Sequence, residues 1–143
     1  MTRAHGLAAG VVMALVLAGC AEVPASSSQV YVPATVESTG PDEPKRVTFT
    51  AEAAQRVDLA TSTIRATSDA SAVDYAALLY DKTGKSWVFT VVGPLTFQRA
   101  AVTVDEIEGP LVTLSAGPPA GTEVVTVGAV EVWGAELGIA GKH

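Results

Sequence analysis

Histidine is the residue type most often recruited for hydrolysis or metal binding, and this chain has two, His5 near its start and His143 as its last residue. That scarcity argues against most nucleophile–histidine–carboxylate triads and against histidine metal clusters. A single cysteine, Cys20, rules out an internal disulfide and a cysteine-rich zinc site. Both methionines, Met1 and Met13, lie in the first twenty residues, so a methionine copper or silver site is not available to the rest of the chain. Carboxylates are plentiful. Asp105, Glu106 and Glu108 cluster at an expected strand end, and Asp69 with Asp74 flank a loop. Paired carboxylates serve glycoside cleavage or calcium binding. Their spacing here matches no twelve-residue calcium loop, so they read as the solvated charge of an acidic protein. Gly84-Lys85-Ser86 looks like the tail of a phosphate-binding loop. Leu79 stands where that loop needs its first glycine, and a strand follows where a helix is required, so the hairpin reading prevails. No catalysis, cofactor or metal is expected.

The two tryptophans, Trp87 and Trp133, offer flat apolar faces to a ligand or to a core. Trp87 reads as core, and Trp133 is open to either role. Arg99 sits in a strand whose apolar residues change phase, which leaves it exposed to a partner. Gly134-Ala135-Glu136-Leu137-Gly138 matches a small-xxx-small helix motif. It lies outside any transmembrane stretch and reads as an irregular C-terminal segment.

The chain has 143 residues and a formal charge of −6. One domain is the expectation at that length. An acidic balance excludes a basic nucleic-acid footprint. Near the N-terminus, Arg3 and His5 precede an apolar run from Leu7 to Ala18, too short to span a bilayer but suited to a signal peptide. The run ends Leu17-Ala18-Gly19-Cys20, which resembles the lipobox of bacterial lipoproteins. The resemblance implies a diacylglyceryl thioether on Cys20, cleavage before it and acylation of its new amino group. Two or three acyl chains anchor a protein durably. The mature chain, with 8 basic against 15 acidic side chains once Arg3 is removed, is then expected on the extracytoplasmic face of a cell membrane, anchored rather than spanning. Residues 20–46, rich in serine, proline and acidic side chains, read as a disordered tether after the 1–19 leader. Within it, Val30-Tyr31-Val32 is apolar enough to pack on the domain or to begin a strand.

The domain is expected over 47–143 and is mainly β. Val47–Thr50 is β-rich, and Thr50 caps a short helix, Ala51 to Val57. Leu59–Ala66 reads as a strand and 67–72 as a loop. Tyr75–Tyr80 and Trp87–Val92 flank Asp81-Lys82-Thr83-Gly84-Lys85, a hairpin whose Gly84 supplies a left-handed residue. Trp87, Phe89 and Val91 share one face of the second arm and Val88 with Val92 the other, as in a strand buried on both sides. In Leu95–Val104, Leu95 and Phe97 are odd while Val102 and Val104 are even, which predicts a bulge or bend near 98–101. Glu108-Gly109-Pro110 and Gly117–Gly121 are turns, separating strands at Leu111–Ser115, Glu123–Val127 and Val130–Trp133. These short, turn-punctuated strands predict a small antiparallel β-barrel or roll with one short helix.

Five stretches, Val47–Thr61, Tyr75–Asp81, Gly84–Phe89, Phe97–Val102 and the turn-and-strand ending Gly117–Ala129, resemble the membrane-proximal domain of periplasmic adaptor subunits. These are the membrane fusion proteins of tripartite efflux pumps and related exporters. In that family this domain is often built from both chain ends, with a β-barrel, a lipoyl-like domain and usually a helical hairpin inserted between them. Here residues 66–73 join the two parts directly, and no glycine-rich lipoyl pattern or long heptad run occurs. The resemblance therefore implies a lipid-anchored accessory module that docks on a membrane transporter, an efflux pump or ABC exporter, rather than a complete adaptor. Residues expected to meet the partner are Arg99, Trp133, Glu136 and Leu137. The other expectation is a lipoprotein that captures a small ligand or cell-wall component in a barrel mouth. A cavity lined by Trp133 or Tyr75 favours that reading, and a filled barrel with an exposed apolar patch favours docking.

Overall fold

The computed structural model describes residues 31–139. The leader, Cys20, residues 21–30 and His143 lie outside the described residues. The described part is mainly β, 48% strand and 16% helical, with a nearly closed antiparallel barrel. Ten strands run in the order β1 (Ala34–Glu37), β2 (Arg46–Phe49), β3 (Ala60–Thr63), β4 (Arg65–Ala66), β5 (Ser71–Asp74), β6 (Leu79–Tyr80), β7 (Ser86–Gly93), β8 (Thr96–Glu108), β9 (Leu111–Ala116) and β10 (Glu123–Val127). Helix α1 (Ala51–Arg56) follows β2, and α2 (Ala129–Glu136) follows β10.

The barrel follows the pairing path β3–β10–β7–β8–β9–β5–β4. Its two ends are one stretch of chain, because β3 and β4 are separated only by Ile64. Ile64 bridges the break with its own backbone, donating to the Thr122 carbonyl and accepting from Gly121, each at 2.8 Å. Inside, Ile64, Val73, Val88, Val112, Leu114 and Val124 are buried against one another. The lumen is therefore packed with side chains, as small barrels usually are. A second core lies on the outer face of the sheet, where Val47, Phe49, Phe89, Phe97 and Val125 meet Ala53 of α1 and Ala129, Val132 and Ala135 of α2. Phe49 and Phe97 pack edge to face there, with centroids 6.0 Å apart.

Strands β7 and β10 divide their side chains between the two cores. Val88 and Val124 point into the barrel, while Phe89 and Val125 point under the helices, all four at 0% exposure. At Val88 and Phe89 this is the strand buried on two faces that the apolar run predicts, whereas Val92, expected to share the face of Val88, is exposed at the strand end. The β6–β7 hairpin turns at Asp81–Lys85 with Gly84 at φ +82°. Helix α1 starts where Thr50 accepts a hydrogen bond from the Ala53 N–H at 3.1 Å.

Several local expectations are corrected. Tyr75–Ala77 is a 3-10 turn, so the first arm of the hairpin is only Leu79–Tyr80. Residues 134–136, expected to be irregular, end helix α2. Pairing of β8 with β7 runs without a break from Phe97 to Val102, so no bulge lies at 98–101. The irregularities fall at Thr103–Glu106, against β9. The change of apolar phase has another cause: Phe97 serves the outer core and Val102 the barrel, so a regular strand buries alternate faces along its length. The segment Val130–Trp133 is helix, not strand, because α2 follows the left-handed Gly128 (φ +86°) and buries Ala129, Val132 and Glu136 at helical spacing. The domain also begins before Val47. Strand β1 pairs with β2 from Ala34 opposite Phe49 to Glu37 opposite Arg46, so this part of the expected tether is sheet.

Candidate functional site

Arg99 and Trp87 come together through strand register. Arg99 on β8 pairs with Phe89 on β7, which makes Trp87 its diagonal neighbour on the outer face. The Arg99 guanidinium carbon lies 4.1 Å from the Trp87 ring centroid and 6.0 Å from that of Trp133. Helix α2 lays Trp133 and Glu136 over the same face. The Arg99 Nε is 3.1 Å from the Glu136 Oε2, with Glu136 only 4% exposed. Both atoms are sealed from water, yet the N–H does not line up for a hydrogen bond, so the contact is ionic without being directional. Glu136 thus keeps a buried carboxylate oxygen whose hydrogen-bonding capacity is unfilled, with Arg99 as its ionic partner.

Trp87 is fixed by the hairpin beneath it. Its indole N–H donates to Asp81 Oδ2 at 3.0 Å. Asp81 Oδ1 accepts from the Thr83 N–H (2.8 Å), the Thr83 hydroxyl (2.6 Å) and the Lys85 N–H (3.0 Å). These bonds hold the Asp81 carboxyl well below the usual carboxylate range, with the Thr83 hydroxyl the largest cause and the Trp87 indole the next. Lys85 Nζ stands 4.5 Å from the Trp87 centroid, so two cations use this ring. Across from Arg99, the β1–β2 loop is fastened by Gln98, whose amide donates to the Pro44 carbonyl at 2.9 Å. A cleft of about 230 Å³ remains between that loop and the clasp that Arg99 forms with Glu136, bordered by Asp42, Lys45, Trp87, Arg99, Glu136 and Leu137.

The four residues expected to meet a partner, Arg99, Trp133, Glu136 and Leu137, therefore share one corner of the fold. Leu137 is 59% exposed there, but two expectations are corrected: Glu136 is buried and Arg99 is largely covered by the tryptophans and α2, so neither stands open to a partner as expected. Trp87 is half-buried at the edge of the outer core rather than inside the barrel. The other candidates do not gather. Asp105, Glu106 and Glu108 are exposed along the far part of β8, and Asp74 pairs with Arg65 at 2.9 Å. Gly84-Lys85-Ser86 forms the hairpin and the start of β7. Among the described residues, no group of three or more His, Cys, Asp or Glu side chains could hold a metal ion. No described helix is long and apolar enough to cross a membrane.

Sequence reasoning missed two features. The Asp81 network had a legible signal, an Asp two residues before a Thr in a glycine turn, which commonly closes on its own backbone. The second is an apolar groove of about 290 Å³ between α1, α2 and β1, bordered by Tyr31, Phe49, Ala53, Gly134 and Ile139. Its walls come from three distant stretches of chain, so local pattern carries no trace of it. Neither Trp133 nor Tyr75 borders the groove or the cleft. Comparison of the chain with protein-family models, with curated proteins and with solved structures finds no match.

Proposed function

We propose that this protein is a lipid-anchored extracytoplasmic module, without catalysis, that docks on a membrane transporter of the efflux or ABC-exporter type. One observation carries the reading: the barrel lumen is filled by side chains, while at one corner of α2 exposed Leu137 stands beside two half-buried tryptophans and a held arginine. Tryptophan and arginine dominate the energetics of protein interfaces, and an arginine held by an indole and a carboxylate loses little freedom on binding. The resemblance of residues 47–129 to the membrane-proximal domain of adaptor subunits supplies the kind of partner, and it is an argument by analogy. Anchoring through Cys20 supports it physically, since confinement to a membrane raises the effective concentration of a membrane partner and a modest interface suffices.

The test is crosslinking in native membranes with a photoreactive side chain at Leu137, and at Glu108 as control. A Cys20→Ala strain removes the anchor, and captured proteins are identified by mass spectrometry. A transporter captured from position 137, not from 108, and lost with Cys20→Ala is the expected result. Equal capture from both positions would sink this corner as the docking site. The cleft beside Arg99, with the unfilled oxygen of Glu136, favours a second reading in which a small ligand is held there. Ligand-dependent changes in Trp87 fluorescence, with no transporter captured, would select it.

A further inference from the structure

Helix α2 is apolar on two sides. Ala129, Val132 and Ala135 point into the outer core. Val130, Gly134 and Leu137, spaced four and then three residues apart, form an outward stripe with Val130 66% and Leu137 59% exposed. A surface helix normally carries polar residues on its outer side, whereas α2 exposes there a single one, Glu131. Gly134 also borders the apolar groove, whose rim holds Tyr31 and Ile139, so stripe and groove are one continuous surface. Ile139 is itself 66% exposed, and Val32, next to Tyr31, is exposed as well.

The chain leaves the described structure at this surface. Tyr31 borders the groove and lies eleven residues after Cys20. Eleven residues span at most about 36–40 Å even fully extended. That is close to the width of a domain of this size, whose radius of gyration is about 13 Å. An anchor on Cys20 therefore keeps the Tyr31 face within one domain width of the bilayer.

We infer that Val130 and Gly134 of the outward stripe and the adjoining groove rest on the lipid surface to which the protein is anchored, setting the domain's orientation and leaving Leu137 at the margin of that contact. The inference rests on the lipid-anchored reading. The lipid it fits is zwitterionic: among the described residues, the charged side chains bordering the groove are Arg56 and Glu131, and Arg56 is already paired with Glu52. Anionic headgroups gain nothing from an acidic domain. Laid this way, the corner formed by Arg99, Trp133, Glu136 and Leu137 sits at the level of the membrane surface, where a transporter's extracytoplasmic face would meet it.

The test uses the full lipidated chain reconstituted into phosphatidylcholine vesicles that contain acyl-chain spin-labelled lipid. Cys20 is the only native cysteine and is consumed by its thioether, so a thiol introduced by Val130→Cys, Ile139→Cys or Glu108→Cys takes an environment-sensitive fluorophore alone. Contact at headgroup depth predicts about twofold or greater quenching and a blue shift at 130 and 139, and none at 108. Adding Val130→Asp to the Ile139→Cys chain should abolish that quenching while the protein still floats with the vesicles. Flotation with equal emission at all three positions overturns the orientation and leaves the anchor standing. Failure to float overturns the anchored reading and this inference with it. Shielding of positions 130 and 139 only when a transporter is co-reconstituted assigns the face to protein and overturns the lipid contact.

Discussion

The molecule holds two apolar cores that share β7 and β10 but are finished differently. The barrel core is enclosed by strands and the 75–77 turn, and its buried members, such as Ile64, Val73 and Leu114, are aliphatic. The outer core is closed by two short helices. At its edge stand both tryptophans, and beside them an arginine and a buried glutamate. Strands pair along their whole length and leave little to choose, whereas a helix laid on a sheet leaves margins. Polar groups at those margins must satisfy one another or be satisfied by something that binds.

Truncation in either core should have the largest effect, and the two should differ in kind. Leu114→Ala should destabilise by about 2–5 kcal/mol and Phe89→Ala by about 3–5 kcal/mol in urea unfolding. Only Phe89→Ala should also weaken the near-ultraviolet circular dichroism of the tryptophans, because α2 then loses its seat. Equal loss of that signal in both variants would mean that the cores are one cooperative unit.

The clasp is next. Arg99→Ala strands the Glu136 charge in a buried site and should cost about 3–5 kcal/mol. Arg99→Met combined with Glu136→Leu removes both charges and should restore most of that stability, a strongly non-additive result in a double-mutant cycle. Additive losses would show that Arg99 acts through packing on Trp87 alone.

Smaller effects are expected where α2 and α1 begin. Gly128→Ala forces an alanine to φ +86° and brings its Cβ to 3.1 Å from Val57 Cγ2, so a loss above about 1 kcal/mol should appear in thermal unfolding. Thr50→Ala removes the α1 cap and should lose about 1 kcal/mol in the same measurement.

The last comparison is one of pH. The folded Asp81 carboxyl titrates below its unfolded value, so it stabilises the fold above the ordinary carboxylate range. That contribution fades as pH falls below about 4. Asp81→Asn should therefore be less stable than the parent at neutral pH, with the gap closing in acid. Unfolding followed by Trp87 fluorescence across that range would show it, and a constant gap would leave only the geometry of the turn to explain the loss.

Much of this architecture was legible in the residues. The β6–β7 hairpin, the Thr50 cap and the two-sided burial of β7 each follow from patterns a few residues long. The failures share a cause. Val130-Glu131-Val132-Trp133 alternates like a strand, and only the core beneath it shows that Ala129, Val132 and Glu136 must face inward together. In the same way β8 seems to slip when read alone, because local pattern assumes one core and the protein has two. Of the site, Arg99, Trp133, Glu136 and Leu137 were expected at a partner surface. That they adjoin Trp87, and that Glu136 is buried, could not be read from a segment forty residues away.

Composition and short-range pattern by themselves determined an acidic, mainly β domain poor in histidine and cysteine, with its turns at Asp81–Lys85, Gly109 and Gly117–Gly121. Those properties depend on backbone preferences and side-chain chemistry that act within one turn or one strand. Only the tertiary structure decided that β3 and β4 close a barrel through Ile64, that the last segment is a helix, and that an arginine on β8 meets a glutamate on α2. Each joins residues far apart in sequence, and each is selected by which packing buries the most apolar surface while leaving the fewest charges alone.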